Sequence, residues 1–144
     1  LVFENDDGGG ASDASCVEVT INGSIAERLY AVDCDDSGLW IKGSWNIFND
    51  LAASINDNYG FRVSLGTNQG NQIKGGIFNA NTSIGLYMNG DDALITGTVS
   101  RNNGTADIYL EATVNGVIVD GNRSETITNN GTNNTIGANN TTAW

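Results

Sequence analysis

Asn-Gly occurs five times in this chain, at Asn22-Gly23, Asn89-Gly90, Asn103-Gly104, Asn115-Gly116 and Asn130-Gly131. Both residues of this pair accept positive φ, which a two-residue hairpin turn requires. Each occurrence is therefore a signal for two adjoining strands. The flanking residues agree. Val17, Val19 and Ile21 alternate with Glu18 and Thr20, and β-rich runs follow at 25–32, 61–65, 73–78, 84–88, 94–99, 106–114 and 117–119. Alternation of this kind gives strands with one buried face, and the short spacing between runs predicts an antiparallel meander.

One segment breaks the two-residue period. In "GSWNIFNDLAASINDNYG", Phe48, Leu51, Ala52 and Ile55 recur at three and four residues, the spacing of one face of a helix. Ser44 is a suitable N-cap and Asn58-Tyr59-Gly60 a suitable stop, so a helix is expected over about 45–57. The expected fold is mainly β, an antiparallel sandwich or barrel-like meander with one packed amphipathic helix. Apolar residues are sparse at both ends. This divides the chain into a polar arm at 1–15, a β-rich domain at 16–128 and an Asn/Thr/Gly-rich tail at 129–144. Proline, a common guard on exposed strand edges, is absent altogether, which suits edges that pair with neighbouring subunits.

Charge narrows the partners. Seventeen acids against six bases give a net charge of −11. Such a surface repels phosphate, which argues against nucleic acid and anionic lipid. No apolar run is long enough to insert in a membrane. A chain that begins Leu-Val-Phe without Met reads as processed or trimmed, and a mature secreted protein fits. The two cysteines, Cys16 and Cys34, lack the further ligands a zinc site needs. They flank a predicted hairpin and are expected to form a disulfide.

Eight Asn-x-Ser/Thr triplets begin at Asn22, Asn81, Asn103, Asn122, Asn130, Asn133, Asn139 and Asn140. In a eukaryote or an archaeon they are acceptors for N-linked sugar, which would make this a glycoprotein. The competing reading is that Asn, Gly and Thr are simply the residues of turns and strands.

Residues 17–66, "VEVTINGSIAERLYAVDCDDSGLWIKGSWNIFNDLAASINDNYGFRVSLG", place a strand ending Ile21-Asn22-Gly23 before a second strand. A helix ending Leu51-Ala52-Ala53-Ser54-Ile55-Asn56 and a strand from Phe61 follow. This order resembles the β-α-β "IN" module of flagellins and hook-associated proteins. The long helical ends that polymerise flagellin are missing. The resemblance implies a module that decorates an extracellular assembly.

Catalytic equipment is thin. Without His there is no Ser-His-Asp or Cys-His arrangement, and the acid pairs Asp35-Asp36 and Asp91-Asp92 sit in apparent turns. "DCDDSG" offers Asp33, Asp35 and Ser37 before Gly38, the opening of a calcium loop, although Ser44 stands where the closing acid belongs. Trp40 and Trp45, with Tyr59 nearby, could stack on sugar rings. Leu1, Val2 and Phe3 form a short β-prone segment suited to donor-strand complementation in a neighbour, and Trp144 could anchor in one. Together these features predict a non-enzymatic subunit of an extracellular filament, pilus-like fibre or surface layer at the cell surface, a homo-oligomer or polymer. A secreted module binding glycans or calcium, and a phage or virus structural protein, are the alternatives.

Overall fold

The computed structural model describes residues 2–4, 15–64, 69–138 and 140. Among them no helix forms, and eighteen short strands repeat a three-beat order. Six rungs result. The first holds β1 (Val2–Glu4), β2 (Val17–Thr20) and β3 (Ile25–Glu27), and the second β4 (Tyr30–Val32), β5 (Leu39–Lys42) and β6 (Ile47–Asn49). The third holds β7 (Ala52–Ser54), β8 (Tyr59–Val63) and β9 (Gln72–Lys74), and the fourth β10 (Ile77–Asn79), β11 (Ile84–Met88) and β12 (Leu94–Thr96). The fifth holds β13 (Val99–Arg101), β14 (Ala106–Leu110) and β15 (Ile118–Asp120), and the sixth β16 (Arg123–Ser124), β17 (Ile127–Asn129) and β18 (Thr135–Ile136). The first strands of all rungs stack as sheet A, the second as sheet B and the third as sheet C.

Every pairing between these strands is parallel, as in Leu39↔Phe61, Leu86↔Phe61 and Leu86↔Ile108. The protein is a parallel β-solenoid, and the antiparallel sandwich or meander predicted from the sequence is wrong. Alternation reports which side of a strand is buried, not which way its neighbour runs. Asn-Gly was also misleading for a physical reason. Gly23 and Gly116 do adopt left-handed φ, of 61° and 74°, but they bend the chain from sheet B into sheet C instead of reversing it.

The same corners explain the missing helix at 45–57. Phe48 lies inside on β6, left-handed Asp50 turns the corner (φ 52°), and Leu51 and Ala53 lie inside again. One corner residue inserted into a two-residue alternation produces apolar intervals of three. Ala52 faces outward, and Ile55 is an exposed corner residue. Arg28 similarly splits the run at 25–32 into β3 and β4.

The interior is a set of apolar rows, one residue per rung. Leu39, Phe61, Leu86 and Ile108 form one row and Phe48, Ile73, Ile95 and Val119 another, and Phe48, Phe61 and Phe78, one from each sheet, meet between the rows edge-on or tilted, with centroids 5.2 and 6.0 Å apart. At the corners, where strand bonding lapses, asparagines continue it. Asn56 Oδ1 accepts from the Cys34 N–H at 3.2 Å, Asn81 Oδ1 from the Asn56 N–H at 3.2 Å, and Asn103 Oδ1 from the Asn81 N–H at 3.0 Å. The Asn56 and Asn81 amide nitrogens donate to the next oxygen in the same series, at 2.7 and 2.9 Å. Buried Asp107 ends the ladder: its Oδ1 accepts from Asn103, and its Oδ2 accepts the Glu125 and Thr126 N–H groups that form the shorter last corner. Asn46 and Asn71 form a second ladder at the B–C corner, and Asn122 and Asn140 a third at the C–A corner.

A disulfide joins Cys16 to Cys34, Cα atoms 5.6 Å apart. It ties the first rung to the second; the hairpin expected between the two residues does not exist. Strands β17 and β18 carry the solenoid into the stretch read as a tail. Strand β1 pairs in parallel with β4 of its own chain.

Two outcomes follow for stability. N81A leaves buried partners of Asn81 unsatisfied and should lower stability by about 1–3 kcal/mol in urea unfolding, whereas N22A, which removes one exposed bond from the Ser44 N–H, should cost less than about 1 kcal/mol. Reducing the disulfide should cost about 3 kcal/mol by the chain-entropy model, read by the same method.

Candidate functional site

Sheet B turns alternate residues outward, and parallel stacking without slippage puts equivalent positions above one another. The central outward row reads Glu18, Trp40, Arg62, Tyr87, Tyr109 and Thr128. A row of aromatics interrupted by one guanidinium is thus built from residues spread over much of the chain.

The row is ordered by its own contacts. Tyr87 and Tyr109 stack with centroids 5.7 Å apart and planes 8° from parallel. Tyr59, at the start of β8, lies 5.2 Å from Tyr87. The Arg62 Cζ sits 4.3 Å from the Trp40 ring centre, 5.0 Å from Tyr59 and 5.9 Å from Tyr87, within cation–π range of all three. Lys42 Nζ is 4.0 Å from the Trp40 ring and forms an ion pair with Glu18. The Trp40 indole N–H donates to Ser64 Oγ, and Asn130 Nδ2 donates to the Tyr109 hydroxyl at 2.8 Å. These bonds fix ring orientation while leaving the row at the surface, each ring being partly exposed.

Glu111 completes the face. Its Oε2 accepts from the Tyr87 hydroxyl at 2.8 Å and its Oε1 from the Ala112 N–H at 2.9 Å. Burial, and then the hydrogen bond and charge of Glu111, push the Tyr87 pKa far above the ordinary tyrosine value, against a smaller opposing pull from Arg62. A phenol held this firmly in its protonated form is a poor general base at neutral pH.

The residues singled out from the sequence are scattered over this framework. Of the aromatics expected to meet sugars, Trp40 and Tyr59 lie on the face. Trp45 does not begin a helix; it stands on the B–C corner, left-handed (φ 62°) and 63% exposed. Of the calcium candidates, Asp33 is an exposed corner residue, Asp35 is half-buried, and Ser37 is buried with its hydroxyl donating to Asp36 Oδ2 at 2.8 Å. Among the described residues, no three carboxylates or cysteines converge at a spacing able to hold a metal.

The triplet asparagines also divide. Asn81 and Asn122 are buried, and they share ladder bonds with Asn103 and Asn140 respectively. Asn22, Asn130 and Asn133 are exposed. Asn139, Leu1 and Trp144 lie outside the described residues, and Val2 and Phe3 belong to β1. Sequence reasoning missed Arg62, Tyr87 and Tyr109. The signal that finds them is the recurrence of an outward aromatic or cation every 22 to 25 residues from Trp40. A hollow of about 450 Å³ at the C–A corner, lined by Glu27, Arg28, Asn49, Asp50 and Lys74, has no aromatic wall.

No family model matches the chain, and no curated protein matches it. Among solved structures it is similar to the A-module of the mannuronan C-5 epimerase AlgE6 from Azotobacter vinelandii, with a TM-score of 0.68 and 17% identity. The match covers 82% of this chain and 34% of that one, so this chain spans about a third of the epimerase module's length. At that identity the likeness is one of fold.

The Tyr87 environment gives a direct test. Its contribution to stability is complete below the unfolded tyrosine value of about 10 and is lost as pH rises through the higher folded value. In an ultraviolet titration, Tyr87 should give an ionisation phase well above the ordinary tyrosine range while the fold persists, and Y87F should remove that phase.

Proposed function

We propose that this protein is an extracellular, non-catalytic module that binds an extended polysaccharide along sheet B. One observation carries the reading: Trp40, Arg62, Tyr87 and Tyr109 stand in register on consecutive rungs of a partly exposed face. Adjacent rungs lie about 4.8 Å apart, comparable to the length of one pyranose unit, so consecutive side chains meet consecutive sugars. The exposed parts of the rings meet the apolar C–H groups of each sugar. Asn89, Glu111, Thr113 and Asn130 border the row with donors and acceptors for hydroxyls.

Two further facts support it. The neighbouring fold belongs to an enzyme that acts on a polysaccharide, mannuronan. The disulfide between Cys16 and Cys34 fits an oxidising compartment, such as the cell exterior. A filament subunit built by donor strands draws less support, because the segment proposed as donor is paired within its own chain as β1.

Isothermal titration with extended soluble polysaccharides tests the reading. Binding should weaken at least about fivefold, near 1 kcal/mol, in W40A and again in Y109A, with far-ultraviolet circular dichroism unchanged. If the intact protein binds no extended polysaccharide at millimolar concentration, or if both variants bind as it does, sheet B is not a glycan face.

A further inference from the structure

The outward row runs over consecutive rungs, but the charge along it changes. At rung three the face is cationic. Lys42 is balanced by Glu18, whereas Arg62 has no ion pair among the described residues and its Nε is buried without a hydrogen-bond partner. Rings hold the Arg62 guanidinium on several sides, and they orient it without neutralising it.

At rungs four and five the sign reverses. The Glu111 carboxylate is anchored beside the stacked Tyr87 and Tyr109 rings by the Tyr87 hydroxyl and the Ala112 N–H. A carboxylate oxygen accepts more than one hydrogen bond, so Glu111 retains acceptor capacity for sugar hydroxyls. It opposes a second carboxylate. The remaining bordering groups at this end, Asn89, Thr113 and Asn130, are neutral. The net charge of −11 adds a background that disfavours a polyanion.

Resting on the polysaccharide reading, we infer that sheet B selects a mostly neutral glycan carrying isolated acidic sugars, with a uronate at Arg62 and neutral units over Tyr87 and Tyr109. Specificity comes from both halves: Arg62 rewards one carboxylate, and Glu111 penalises a second one two rungs on. A homopolymer of uronate cannot satisfy both.

Three tetrasaccharides separate the possibilities in titration calorimetry: one neutral, one with a single terminal uronate, and one of four mannuronates. The mono-uronate form should bind about tenfold more tightly than either of the others. In E111Q, the ratio of tetra-uronate to neutral affinity should rise about tenfold. In R62Q, the mono-uronate form should lose its advantage over the neutral one. A tetra-uronate that binds as tightly as the mono-uronate form overturns the inference and leaves the glycan face standing, and so does an E111Q ratio that does not move. If all three tetrasaccharides and long polysaccharides fail to bind, the glycan face itself is refuted.

Discussion

The hydrogen bonding of the corners is the constraint on which this solenoid depends. Stacked parallel strands satisfy one another along their lengths, but each rung must turn three times, and each turn takes backbone groups out of strand geometry. A left-handed residue makes the turn: Asp33, Ile55, Ala80 and Asn102 between sheets A and B, and Gly23, Trp45, Gly70, Asp92, Gly116 and Asn133 between B and C. At many corners an asparagine follows immediately. Its side-chain amide has the same donor and acceptor as a peptide group, so it continues the ladder through the bend. The bonds between Asn56 and Asn81 lie where water is excluded, and an unpaired group there is costly.

This constraint also creates the face. Because the corners keep the register from slipping, a residue on β5 stands over its counterpart on β8, then β11, then β14. Stacked rings and a ring-bounded guanidinium are consequences of that alignment, not of sequence proximity. The rings of the row are held by their own contacts on the sheet, so the proposed ligand would meet side chains already oriented. The two charged groups that differ along the row, Arg62 and Glu111, are held by neighbouring side chains on that same sheet.

The triplet asparagines show how the two levels of structure interact. Asn81 and Asn122 match a glycosylation signal in sequence, yet their amides are built into ladders and are buried. The abundance of Asn, Gly and Thr that produces those triplets is in large part a requirement of corners and strands. That the excess was structural for these residues is apparent only when one rung is laid on the next.

By itself, the sequence determined that the protein is made of strands, that Cys16 and Cys34 can be bonded, and that Trp40 and Tyr59 are candidates for sugar contact. Those features are local: alternation, turn chemistry and residue type act within a few positions. The tertiary structure decided strand direction, the absence of the helix at 45–57, the burial of Asn81 and Asn122, and the union of Trp40 with Arg62, Tyr87 and Tyr109. Each of these depends on contacts between residues a full rung apart. Local alternation is the same whether the partner strand runs parallel or antiparallel, and only stacking of the rungs fixes which residue lies above which.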